Sequence, residues 1–228
     1  MIDWSIVRNH LLQGKPLLVF DSMERESEVD MVFYAEKIDS SKISFLRRNA
    51  GGLICFATGS LVREALGINY IQDMLINNPS IKELVSKKPR YGDQPAFSIW
   101  VNHINTYTGI TDRDRALTLR NLYEVVSLVY KGYFREARDK FMKEFYAPGH
   151  VPILISRGLN NRRGHTELVT ALALISGLTP AMVISEMLGE DSSLPYEDAK
   201  KFAQKNNLLF LEGVDIVFEA EKRGFLND

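Results

Sequence analysis

Residues 17–35 read LLVF-DSMERESEVD-MVFYA, so two strand-like apolar runs enclose ten residues that contain five acids and one arginine. Acids at positions 26, 28 and 30 recur with period two, and an extended backbone would aim all three the same way. Like charges that converge need a cation between them. From this segment alone, a metal site and a solvated acidic loop are equally supported.

The apolar pattern on either side of this stretch alternates between helix and strand. The predicted strands are residues 17–20, 31–35, 53–57, 97–104, 151–155, 182–188 and 208–211. The predicted helices are residues 4–12, 41–50, 112–129, 166–175 and two more, one through Phe202 to about Asn206 and one from about Val214. This alternation predicts an α/β (α+β) fold with one mixed β-sheet layered with helices. The irregular stretch 77–95 is interpreted as a surface excursion, which leaves a single domain over 1–228.

Composition limits the partners. The chain has 28 Lys+Arg against 29 Asp+Glu, so it carries no global basic field that would hold nucleic acid or an anionic membrane. The most apolar stretch, 168–184, is interrupted by Ser176, Gly177, Thr179 and Pro180, and we expect no membrane span. The single cysteine, Cys55, excludes an internal disulfide and fits a cytoplasmic location.

A second polar cluster, residues 161–167, reads NRRGHTE at the start of a predicted helix. Arg162, Arg163, Gly164 and Thr166 suit an anion such as phosphate, because guanidinium groups and free helix amides bind it. Alternatively, Thr166 only caps the helix and the arginines are solvated. His165 could give an imidazole nitrogen to the same metal as the acids, which suits Mg²⁺ or Mn²⁺ and argues against structural zinc.

Three further positions are candidates for chemistry. His150 follows Pro148-Gly149, a rigid-then-permissive pair that can aim a side chain at the mouth of a strand. Glu186 lies within an apolar run, where an unpaired carboxylate would cost several kcal/mol, so a partner, metal or substrate is implied. The turn at Thr108 lies near a ligand or simply feeds the capped helix that follows.

Together these segments resemble the 3,4-dihydroxy-2-butanone 4-phosphate synthase family of riboflavin biosynthesis over nearly the whole chain. The matching motifs, in family order, are Asp21 with residues 25–30, residues 51–55, Thr108 to Thr111 with Asp114-Arg115, residues 148–151, residues 162–167 and Glu186. Val29 stands where the family usually has glycine, and Arg163 where it often has a smaller residue. The GTP cyclohydrolase II domain of bifunctional relatives does not follow, so one activity is expected.

The resemblance implies that D-ribulose 5-phosphate is converted to L-3,4-dihydroxy-2-butanone 4-phosphate and formate through a metal-stabilised enediolate. It implies Mg²⁺ or Mn²⁺, with one or two ions per site, and a homodimer with active sites near the interface. The implied metal ligands are Glu26 and His165, and the implied catalytic residues are His150, Glu186, Glu28 and Asp30. The remaining substrate contacts are expected from Asp21, Arg25, Cys55, Thr108, Arg162, Arg163, Gly164 and Thr166, together with Glu26, Asp30, His165 and Glu186.

Two other functions are compatible with parts of the sequence. A YrdC-type carbamoyl-AMP synthase has a related fold, but its basic nucleotide-binding signature is missing from this sequence. A non-catalytic module could use the Arg162 loop to hold RNA or a sugar phosphate. The near-zero net charge and the acidic loop argue against RNA.

Overall fold

A mixed β-sheet of seven strands runs through the computed structural model, which describes residues 2–227. The strands are β1 (Leu17–Phe20), β2 (Val29–Tyr34), β3 (Cys55–Thr58), β4 (Phe97–His103), β5 (Phe145–Ile155), β6 (Ala181–Glu186) and β7 (Leu209–Glu212). Their order is β4-β5-β3-β6-β2-β1-β7. Parallel pairs, β3 with β5 and β1 with β7, are joined by antiparallel pairs, so the predicted mixed sheet is confirmed.

Helices pack on both faces of this sheet. They are α1 (Trp4–Leu12), α2 (Ser40–Asn49), α3 (Leu61–Leu66), α4 (Ile71–Leu75), α5 (Lys82–Val85), α6 (Asp112–Tyr130), α7 (Phe134–Glu144), α8 (His165–Ile175), α9 (Tyr196–Lys205) and α10 (Gly213–Arg223). One apolar core lies between the sheet and α2, α3, α6, α7 and α9. The other lies between the sheet and α1, α8 and α10. The chain is therefore a three-layer α/β fold, as the alternation predicts.

Capping residues explain where several helices begin. Asp3 accepts a hydrogen bond from the Ser5 amide, and Thr111 accepts one from the Asp114 amide, so each side chain satisfies a free amide of the first turn. Asp39, rather than Ser40 or Ser41, caps α2 through the Lys42 amide. The predicted cap was therefore wrong by one or two positions.

Two predicted segments differ from the structure. β5 begins at Phe145 instead of Val151, because residues 145–146 continue the pairing with β4 across an irregularity in register. The excursion 77–95 contains the short helix α5. Two side chains of the excursion, Tyr91 and Asp93, contact Arg25 of the acidic loop. None of the helices formed by residues 2–227 combines the length and apolarity that crossing a bilayer requires.

Candidate active site

Strand alternation puts three polar side chains on the α8 face of the sheet. Val32 and Ile184 belong to the core on the α8 side, so Asp30 and Glu186, two residues away along their strands, point to the same face. Asp30 and Glu186 are also direct partners across β2 and β6. Cys55 of β3 is buried in the same core. Sequence period and register together bring these groups under the first turn of α8.

These groups line a cavity of about 130 Å³. It brings together eight of the side chains selected from the sequence: Glu26, Glu28, Asp30, Cys55, Arg162, His165, Thr166 and Glu186. The rest of its wall comes from Tyr91, residues 95–97, Leu154 and Ile184. One small cavity thus joins the acidic loop to the start of α8.

Asp21 organises the acidic loop. Its two carboxylate oxygens accept hydrogen bonds from the amides of Glu26 and Glu28, both at 3.0 Å. Ser27 between them adopts a positive φ of 56°, and β2 begins only at Val29. The extended backbone expected over residues 26–30 is therefore wrong for 26–28. A loop tied to a buried aspartate aims these carboxylates at the cavity instead.

His165 is oriented as metal-binding histidines usually are. Its Nε2 lies 3.2 Å from the carbonyl oxygen of Val19, which fixes that nitrogen as the donor. Its Nδ1 then faces the carboxylates of Glu26, at 3.4 Å, and Asp30, at 3.7 Å. Asp21, Glu26 and His165 each offer one possible ligand atom, and these three atoms lie within 4.8 Å of one another. Two carboxylates and one imidazole form a donor set that suits Mg²⁺ or Mn²⁺.

The electrostatics of this cluster favour a cation. Burial lowers the pKa of His165, but Asp30, Glu26 and Asp21 outweigh it and raise the pKa to about 9. Burial tends to raise the pKa of Glu26, yet its bond to His165 and the charge of Arg25 lower it to about 2. Burial raises the pKa of Asp30 well above its usual value. Near neutral pH the cluster therefore holds a proton, and a bound metal ion would take the place of that positive charge.

Glu186 has the partner that its position requires. Its Oε2 accepts a hydrogen bond from the Leu53 amide at 2.8 Å, and a Cβ on Gly52 would overlap the same carboxylate. Glycine at position 52 thus lets the carboxylate lie against the backbone of the segment leading into β3. Burial raises the pKa of Glu186, which suits a carboxyl group that carries a proton.

The cluster at the start of α8 is partly used by the fold itself. Arg162 is buried and pairs with the fully buried Glu167, which also accepts a bond from the Gly164 amide at 3.2 Å. Gly164, not Thr166, is the N-cap, since α8 begins at His165. Arg163 is exposed and lies outside the cavity wall, whereas Thr166 lines it.

Comparison with known proteins fits this geometry. The family model described as 3,4-dihydroxy-2-butanone 4-phosphate synthase matches residues 6–219. The chain belongs to this family.

The 3,4-dihydroxy-2-butanone 4-phosphate synthase of Methanosarcina mazei is 39% identical over 217 residues, covering 91% of this chain and 86% of that protein. The enzyme of the same name from Methanothermobacter thermautotrophicus is 39% identical over 216 residues, with 91% of each chain covered. Among solved structures, a 3,4-dihydroxy-2-butanone 4-phosphate synthase in complex with two magnesium ions superposes with a TM-score of 0.76 at 26% identity. That match covers 99% of this chain and all of the other.

His150 and Thr108, which the family resemblance also selects, lie away from the cavity wall. His150 is exposed on β5, where its amide donates to Asn102 Oδ1 at 2.8 Å and its Nδ1 lies 3.1 Å from Asn102 Nδ2. Thr108 is exposed as well, and its amide donates to Asp114 at 3.1 Å. Within one chain, these residues form a separate polar group at the β4–β5 edge.

Sequence reasoning missed Tyr91 and Asp93. The Tyr91 hydroxyl interacts with the Glu26 carboxylate and helps to lower its pKa, and the Tyr91 ring stacks under the Arg25 guanidinium at 4.8 Å. Asp93 accepts a bond from Arg25 Nε at 3.0 Å. Arg25 therefore connects the acidic loop to the 91–93 segment. No local pattern in 77–95 signals this contact, which spans 68 positions of sequence.

Proposed function

We propose that the chain catalyses the conversion of D-ribulose 5-phosphate to L-3,4-dihydroxy-2-butanone 4-phosphate and formate, a lyase step of riboflavin biosynthesis. The observation that carries the proposal is the grouping of Glu26, His165 and Asp21 around one point, in a chain whose family and near relatives bear this name. The carbamoyl-AMP synthase and the non-catalytic module are not favoured by these comparisons.

The metal would be held by Glu26 and His165, with Asp21 behind them. Magnesium is the first candidate, because the related synthase of known structure binds two magnesium ions, and manganese suits the same donors. When bound, a divalent ion supplies Lewis-acid polarisation of substrate oxygens. Nδ1 of His165 is the ring nitrogen available to it, since Nε2 is committed to Val19.

The substrate phosphate would lie at the start of α8. Thr166 lines the cavity and would contribute its hydroxyl, and free amides in the first turn of a helix favour an anion. Arg162 shares this wall, and its Nε has no hydrogen-bond partner among the described residues. One nitrogen of Arg162 is held by Glu167, so its guanidinium is already oriented before a phosphate arrives.

Proton transfers are assigned to Glu28, Asp30, Glu186 and His150. Removal of a proton next to the ketone and departure of C4 as formate both require groups that exchange protons near neutral pH. Burial raises the pKa of Asp30 and of Glu186, which keeps protons on these carboxyl groups at higher pH than in free side chains. Glu28 accepts a bond from the Ser193 hydroxyl, which orients its carboxylate at the cavity.

Two copies of the chain would form a homodimer in the cytoplasm. The β4–β5 edge and the loop after it expose large apolar side chains, including Trp100, Ile104, Tyr107 and Ile110. His150 and Thr108 are exposed at the same edge. Pairing through this edge would place the His150 group at the interface, where the family resemblance expects the active sites.

Incubation with ribulose 5-phosphate and Mg²⁺, with and without chelator, tests the proposal by measuring formate. We expect metal-dependent formate release that His150→Ala and Glu186→Ala each reduce by about 10²- to 10⁴-fold. Arg135→Ala, on the exposed surface of α7, is the matched control and keeps wild-type rates. Absence of metal-dependent formate would sink the proposed activity. Near-wild-type rates in both site variants would remove their catalytic assignment alone.

A further inference from the structure

The cavity of about 130 Å³ that Glu26 and His165 line is the metal cavity. A second, larger cavity lies beside it. It measures about 750 Å³, within the range of small-molecule sites, and it opens between α3, the loop after β5 and the segment 88–94. The two cavities share Arg162, and the chain from Tyr91 to Pro95 forms the partition between them. The reaction proposed above uses none of the remaining residues of this wall.

Unpaired cations dominate the wall. Arg63, Lys88 and Arg157 form no ion pair with any carboxylate within residues 2–227. Two other charged residues of the wall have partners behind it: Arg162 pairs with Glu167, and Asp93 shares the single charge of Arg25 with Asp21 and Glu26. Glu64 is the remaining acidic group of the wall, so the cavity keeps a net positive charge.

Arg157 is fixed in place before any ligand binds. Its guanidinium carbon lies 3.5 Å from the centroid of the Tyr70 ring, and its Nη2 donates to the carbonyl oxygen of Pro95 at 3.2 Å. The Tyr70 hydroxyl is in turn bound to the Ser156 carbonyl at 3.0 Å. Arg157 Nε is buried and has no hydrogen-bond partner among the described residues. A buried donor without a partner costs free energy unless a ligand satisfies it.

Arg63 approaches the same aromatic ring. Its guanidinium carbon lies 5.7 Å from the centroid of Tyr70, so a single ring positions two arginines at one cavity. Guanidinium groups that line one cavity repel each other and are best neutralised by an anion that accepts several hydrogen bonds. A phosphate group offers that number of acceptors.

We infer that this cavity is a second anion site, which binds a small phosphorylated molecule through Arg63, Lys88 and Arg157 and is separate from the metal cavity. Arg157 supplies the pre-oriented contact, and the two exposed cations supply charge at the mouth. Asp93 and Gln94 line this second cavity, while Tyr91 and Pro95 line the metal cavity. An anion bound in the second cavity would therefore stiffen the partition next to Glu26.

Titration of the metal-free full chain with inorganic pyrophosphate, followed by calorimetry at 0.15 M salt, tests the inference. Each of Arg63→Gln and Lys88→Gln is expected to weaken pyrophosphate binding about tenfold, which is one charge-assisted contact. Both side chains are exposed, so the variants keep the fold, and thermal unfolding checks this. Arg135→Gln removes the same charge from α7, at a residue that does not line the cavity, and should bind as the wild type does.

Two results would overturn the inference. If Arg63→Gln binds pyrophosphate no more weakly than Arg135→Gln, the attraction is general and there is no site. If saturating ribulose 5-phosphate abolishes the Arg63-dependent binding, the cavity belongs to the substrate site. The comparison between variants needs neither metal nor turnover, so a failure of the proposed synthase activity leaves it unaffected.

Discussion

Replacing Tyr91 by phenylalanine isolates the contribution of the 91–93 segment to the metal site. The substitution removes the hydroxyl that interacts with the Glu26 carboxylate and leaves the ring on which Arg25 stacks. The ion pair between Arg25 and Asp93 is also kept. Burial and the bond to Glu26 raise the pKa of Tyr91 to about 12, so the hydroxyl is a donor throughout the neutral range.

The magnitude follows from the kind of bond that is lost. A hydrogen bond to a metal-binding carboxylate orients the ligand, and loss of such a partner typically weakens metal binding by about 10- to 100-fold. Tyr91 is only half-buried, so water can replace part of the bond and the lower end, about tenfold, is expected. Tyr91→Ala also removes the ring under Arg25, which adds about 0.5 to 1 kcal/mol, or a further two- to fivefold.

Calorimetric titration with Mg²⁺ measures the effect directly. Tyr133→Phe is the matched control, because Tyr133 is exposed next to α7 and does not line the cavity. In formate assays, Tyr91→Phe should raise the Mg²⁺ concentration needed for half-maximal rate more than it lowers the rate at saturating metal. Mg²⁺ affinity within twofold of that of Tyr133→Phe would refute the view that this hydroxyl supports the metal ligand.

Three further outcomes are expected. Mg²⁺ binding at pH 7 should release about one proton, because the raised pKa of His165 keeps the ring protonated below about pH 9. The affinity for Mg²⁺ should therefore fall as the pH falls below that value. Calorimetry in buffers of different ionisation enthalpy counts the released protons, and release of none would contradict the assignment of His165 as a ligand. Glu167→Gln should destabilise the fold by about 3 kcal/mol by leaving Arg162 buried and unpaired, as urea unfolding would show. Ile104→Asp should yield a monomer by light scattering with little formate release; a fully active monomer would exclude the shared site.

The sequence predicts the sheet well because its buried strands are short, continuous apolar runs. Residues 17–20 and 53–57 are bounded by turn residues and fall on β1 and β3. The predicted start of β5 was wrong because Pro148 and Gly149 are typical of turns. In the structure they lie inside a strand, where its pairing with β4 is irregular. The irregularity depends on a neighbouring strand, so local pattern does not reveal it.

The residue types of the acidic loop predict a metal site, but the backbone expected for the loop was wrong. Period-two spacing suggested an extended strand, but Asp21 binds the amides of Glu26 and Glu28, and Ser27 adopts a positive φ. A side chain that bonds to backbone several residues away can replace strand geometry as the means of aiming carboxylates. The residue types indicate candidate ligands, while their orientation depends on tertiary contacts.

The contacts made by Arg25 show why the site could not be completed from local sequence. Its guanidinium joins Asp21 and Glu26 of the acidic loop to Asp93, with the Tyr91 ring stacked on it. The acidic loop carries too many negative charges to close on itself without a cation; Arg25 supplies one, and the proposed metal would supply another. A segment without helical or strand period therefore fixes the loop, because charge balance and not periodicity determines where it docks.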